Sequence, residues 1–112
     1  MQDLRKHKRF AVTKKTRALA HNKIAEVTNI SKGGLSLLFL DKSNTLFNGE
    51  LSFDLLCNEK GLDARQIPGT IVWHREGSYS NIPGMVYRKV GIQFGTLSKI
   101  QKKLLTTLLT DV

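Results

Sequence analysis

Two groups of residues in this chain have the types and spacing to hold an anion that also has a flat, hydrogen-bonding face. The first is Arg5-Lys6-His7-Lys8-Arg9, two arginines separated by three residues inside a basic run. Each guanidinium is a planar fork of donors. It can engage two acceptors on a guanine edge, clamp a phosphate or stack on a base. The second is Asn29-Ile30-Ser31-Lys32-Gly33-Gly34, a polar turn of the form Asn-x-Ser-x-x-Gly. Asn29 offers an amide acceptor and donors, and Ser31 offers a hydroxyl. Backbone N–H groups around Lys32, Gly33 and Gly34 can form a small anion-binding nest. Glycine at position 34 allows the backbone to approach a ligand closely or to take a positive φ. Arg5, Arg9, Asn29, Ser31 and Gly34 are the principal candidates, with Lys8, Lys32 and Gly33 secondary.

Neither group is specific by itself, since a chain with 18 Lys and Arg shows this arginine spacing by chance. Asn, Ser and Gly gather in any turn. Their placement on the chain carries more weight. Thr16–Ala20 reads as a short strand, His21-Asn22 as a turn, and Lys23–Asn29 as the returning strand. A hairpin brings its two ends together, so the turn should lie beside the point where the arm joins the body. The arginines are then a few residues away, and together the two groups suit a guanine dinucleotide.

Further along, apolar strands are expected at Leu35–Leu40, Glu50–Leu56, Gln66–Arg75 and Met85–Phe94, separated by loops at Asn58–Ala64 and Glu76–Gly84. Ile71, Trp73, Val86, Val90, Ile92 and Phe94 are the expected core residues of the last two strands. The period then changes: Leu97, Ile100, Leu104, Leu105, Leu108 and Leu109 recur at helical spacing, and Ser98 with Gln101 fits a capping box. This predicts a helix over about 98–110. Lys99, Lys102 and Lys103 fall in its early turns, where the helix dipole disfavours cations. Six short strands and one helix predict an all-β fold with a C-terminal helix, a six-stranded antiparallel β-barrel whose closure removes exposed sheet edges.

Charge divides the chain in the same place as the pattern. Residues 1–23 hold eight basic side chains against Asp3 alone, a net charge of +7 out of +9. Residues 24–112 hold ten basic and eight acidic side chains, or +2. Residues 1–15 therefore read as a flexible basic arm that attracts an anion, and residues 16–112 as the barrel with its helix.

The Arg-x-x-x-Arg arm, followed after one hairpin by Asn-x-Ser-x-x-Gly-Leu, resembles the PilZ domain family. Gly49 before a hydrophobic strand, Gly69–Trp73 as Gly-Thr-Ile-Val-Trp, and Tyr87–Phe94 ending in Val-Gly-Ile-Gln-Phe also fit. The resemblance runs from Leu4 to the C-terminal helix. It implies a six-stranded barrel with a C-terminal helix and cyclic di-GMP as ligand, with no further cofactor. The binding roles fall on Arg5, Arg9, Asn29, Ser31 and Gly34. Asn29 stands where Asp is also common in the family, and the loop Glu76–Gly84 is somewhat long.

Other classes are disfavoured. No nucleophile–base or carboxylate pair is evident from local spacing, so catalysis is not expected. His7, His21 and His74 lack metal-ligand spacing, and the single cysteine, Cys57, reads as a buried thiol. No apolar run is long enough to span a bilayer and no secretory signal is present, which predicts a cytoplasmic protein. A receptor would act on a downstream protein partner, as a monomer or weak homodimer. The alternatives are a nucleic-acid binder using the basic arm, against which the scarcity of exposed aromatics counts, and a protein-interaction barrel with a vestigial nucleotide site.

Overall fold

The computed structural model describes residues 10–11, 16–20, 23–42 and 49–110. Strands β1 (Phe10–Ala11) and β2 (Arg17–Ala20) are followed by β3 (Lys23–Ile30), β4 (Gly34–Lys42), β5 (Gly49–Cys57), β6 (Leu62–Tyr79) and β7 (Met85–Phe94). Helix α1 (Lys99–Thr110) follows β7. β1 and β2 lie one after the other along the same strand, β3: Phe10 faces Ile30, and Arg17 faces Glu26. They act as one interrupted strand. The circuit β2–β3–β4–β7–β6–β5 then returns to β2, every pairing antiparallel, and closes the six-stranded barrel.

Alternation along the strands fills the interior. Ala25, Val27 and Ile30 point inward from β3, Leu35, Leu37 and Phe39 from β4, and Phe53, Leu55 and Cys57 from β5. Val90 and Ile92 from β7, Leu62, Ala64 and Ile67 from β6 and Ala18 from β2 complete the set. Cys57 is the buried thiol expected.

α1 lays Leu105 and Leu108 into this core, with Leu104 and Leu109 packed at its margin. Its start is the capping box read from the sequence. The Ser98 N–H donates to Gln101 Oε1 at 2.9 Å, and the Gln101 N–H donates to Ser98 Oγ at 3.1 Å. Gln101 Nε2 also donates to the carbonyls of Arg65 and Gln66 at 2.9 and 3.0 Å, anchoring the helix to β6. At that anchor Gln66 has φ of 52°, and its N–H donates to Asp54 Oδ1 at 2.9 Å. A register shift between Phe53 and Leu55 produces this kink. Asp63, by hydrogen bond and by charge, raises the pKa of the exposed Arg65 guanidinium above its ordinary value.

Three expectations change. The segment 58–64 is mostly structured: Asn58–Lys60 forms a 3-10 turn and β6 starts at Leu62. β6 also runs on through Glu76 to Tyr79, because β7 pairs with it there (Arg75 with Lys89, Glu76 with Arg88, Tyr79 with Val86) and a register shift absorbs Gly77 and Ser78. The connecting loop is therefore residues 80–84. Trp73 is not core. Gly91 lies between the inward-pointing Val90 and Ile92, and the indole lies across it on the outer face. A register shift between Ile71 and Trp73 turns the tryptophan outward.

Among the described residues no helix is long and apolar enough to cross a membrane, and no group of three or more potential metal ligands occurs.

Candidate ligand-binding turn

The turn begins where β3 ends. A register shift between Val27 and Asn29 places Thr28 and Asn29 consecutively on the outer side, while Val27 and Ile30 stay buried. Asn29 is half-buried, faces Ser36 on β4, and pairs with Ala11 of β1 on its other side.

Ser31 is 4% exposed and organises the turn from within. Its backbone N–H donates to the Gly34 carbonyl at 2.8 Å, and its hydroxyl donates to the same oxygen at 3.3 Å. The hydroxyl also accepts the Gly33 N–H at 3.2 Å. One serine thus fixes the turn by closing it on both strands. Its oxygen keeps a second lone pair.

Gly34 is glycine because of β7. A Cβ there would stand 2.1 Å from the Ile92 carbonyl oxygen. Its φ is not positive, so the freedom expected of it is not used. What is used is its lack of a side chain, which lets β4 close against β7. The Phe94 N–H donates to the Gly33 carbonyl at 2.9 Å and fastens the turn to the same strand. Lys32 is exposed at the tip.

From the turn a polar row runs around the outside of the barrel. Ser36 faces Asn29 on one side and Gly91 on the other, and Gly91 faces Trp73. Ser36 is fully buried, with its hydroxyl 2.5 Å from Thr28 Oγ1. Trp73 lies on Gly91, where any side chain would collide with the indole, and the Arg75 guanidinium sits 5.6 Å from its ring centroid. Asn29 and Trp73 are three strand spacings apart, about 14 Å along the row. Ser36 and Gly91 are buried, so the row reaches the surface at its two ends, Asn29 and Trp73. Sequence reasoning missed Thr28, Ser36, Trp73 and Arg75. The Trp73 signal was present but inverted, because plain alternation from Ile71 points it inward.

Asn29, Ser31, Gly33 and Gly34 are thus brought together in one turn, with Lys32 at its tip. Arg5, Lys8 and Arg9 lie outside the described residues.

A family model for the PilZ domain matches residues 3–111, and the chain belongs to that family. Among solved structures it is similar to the PilZ domain with c-di-GMP of YcgR from Escherichia coli, with 12% identity and a TM-score of 0.73. That match covers 97% of this chain and 91% of the other. It is also similar to the inhibitor of motility (MotI/DgrA) of Bacillus subtilis, with 18% identity and a TM-score of 0.60. There 98% of this chain is covered, and the match spans 51% of the Bacillus chain. At these identities the likeness is one of fold. No curated protein matches the sequence.

Proposed function

We propose that this chain is a receptor for cyclic di-GMP, and that the fixed half of its site is the turn Asn29–Gly34 with the outer row that leads to Trp73. The observation that carries the reading is the turn itself. Membership of the family joins a serine-closed Asn-x-Ser-x-x-Gly turn to an arm bearing Arg5 and Arg9. The likeness to a PilZ domain solved with c-di-GMP supports the same ligand.

The arm is the other half. Arg9 is bonded to Phe10, and Phe10 pairs with Ile30, the residue before Ser31. The sequence therefore attaches Arg9 directly to the β1 residue that pairs beside the turn. In this reading Arg5 and Arg9 close over the ligand, their guanidinium forks taking guanine acceptors and phosphate. Lys8 and Lys32 add charge attraction. Asn29 addresses a guanine edge or braces an arginine, and Trp73 with Arg75 offers a stacked surface at the far end of the row. Closure of the arm changes the surface beside β1 and β3, and a downstream protein reads that change. Ordering the arm offsets part of the affinity.

Calorimetric titration of the purified chain with cyclic di-GMP tests the reading: a saturable heat is expected, and none at tens of micromolar ligand would sink it. Amide exchange at residues 5–9 should slow when ligand is added.

A further inference from the structure

We propose that the outward face of α1 is a docking surface for an acidic protein partner, centred on Lys99, Ile100 and Lys103. The inference concerns a different part of the molecule from the turn and does not depend on which ligand the turn binds.

Three observations converge on this face. The first is charge. Between the arm and the helix, residues 16–98 hold nine basic and seven acidic side chains, a net charge of only +2. The helix then carries Lys99, Lys102 and Lys103 with no acidic residue. These three lysines make α1 the most concentrated net positive charge after the arm, +3 within twelve residues. The second is the lack of internal compensation. Among the described residues none of these lysines forms an ion pair. The carboxylates beside the Gln101 anchor, Asp54 and Asp63, are engaged with Arg65 at 3.4 and 2.6 Å. Cations in the first turns oppose the helix dipole, and Lys99 with Lys103 places like charges one turn apart. Among the described residues no carboxylate rewards that placement, whereas an acidic surface would.

The third observation is Ile100. The apolar face of α1 is committed to the barrel through Leu105 and Leu108, yet Ile100 is 72% exposed. On a helix it neighbours Lys103 at i+3, and Lys103 in turn neighbours Lys99 one turn earlier. An apolar anchor flanked by cations matches the anatomy of a protein interface, a small apolar centre with a charged rim. It suits a membrane less well, because interfacial insertion needs a whole apolar helix face and this helix has used its own. A phosphate backbone would use the lysines and leave the isoleucine idle.

The test is a residue-resolved amide-shift titration of the full chain with an amphipathic helical peptide that bears glutamates around a leucine-lined face. Phosphatidylglycerol vesicles and a DNA duplex serve as the other probes. Residue resolution matters because the basic arm will also attract an acidic peptide. The amides of Lys99–Thr107 are expected to shift with the peptide. The effect should weaken at high salt, where screening shortens the reach of charge to about 4 Å. The double substitution Lys99→Gln and Lys103→Gln, and separately Ile100→Ser, should each weaken the helix response about tenfold. Both should leave the melting temperature at or above that of the parent. The proposal is overturned if peptide shifts are confined to residues outside the helix. It is also overturned if either variant keeps the parent's affinity at the helix, or if vesicles or duplex move the helix amides at lower concentration than the peptide does.

Discussion

The two ends of β4 carry two polar clusters built on opposite plans. At its start, Ser31, Gly33 and Gly34 are fixed by short contacts among backbone groups and one hydroxyl. At its end, Asp41 takes Lys23 at 2.5 Å and Arg88 at 3.8 Å, and Arg88 reaches Glu76 at 3.7 Å. Asp41 and Arg88 are 4% and 2% exposed, and Lys23 also lies over the Phe39 ring. The clusters are seven residues, or about 23 Å, apart along one strand. In the charged one, the buried Asp41 and Arg88 are answered by opposite charges, Lys23 and Glu76, that reach in from the surface. In the neutral one, the backbone is held rigid while Asn29 and the row to Trp73 face outward. A site for an external anion needs a preorganised surface with charge brought to it, and here the charge is on the arm.

The largest effect expected from breaking this contrast is at the charged end. Arg88→Ala leaves Asp41 buried with a partner removed and should cost about 3 kcal/mol in denaturant unfolding, with ligand affinity roughly unchanged. At the turn, Gly34→Ala forces a Cβ against a backbone carbonyl that cannot swing away. A loss of about 1–3 kcal/mol in stability is expected, together with loss of ligand binding, because the same residue sets the turn. Trp73→Ala should weaken ligand binding by about 1–3 kcal/mol if a base stacks there, and Trp73→Phe should restore part of it. The smallest effect belongs to neither cluster. Ser98→Ala removes the cap of α1 and should lower stability by about 1 kcal/mol without touching affinity.

Much of this was readable before the structure, where local chemistry determines the outcome. The Ser98–Gln101 capping box needs only four residues to specify it, and both of its hydrogen bonds form. The six strands and the hairpin that leads to Asn29 followed from alternation and turn residues. What could not be read depends on partners distant in sequence. Gly34 looked like a residue chosen for close approach to a ligand or for its φ, and the structure supplies another reason, the Ile92 carbonyl on β7. Trp73 is two residues from Ile71 and by alternation belongs inside. A register shift against β7 reverses it, and local sequence carries no sign of that shift. β6 continues past Glu76 for the same reason, since its ladder is supplied by residues that follow the loop.

The central claim is that a fixed turn and a fork-bearing arm together recognise a guanine dinucleotide. The most direct measurement is a matched calorimetric titration of cyclic di-GMP into the parent chain and into Arg9→Lys at the same salt concentration. The account predicts saturable binding by the parent and a loss of tenfold or more in the variant, because lysine keeps the charge and lacks the fork (about 1.4 kcal/mol for each factor of ten). Equal affinity in the two proteins, or a flat titration in the parent, would contradict it.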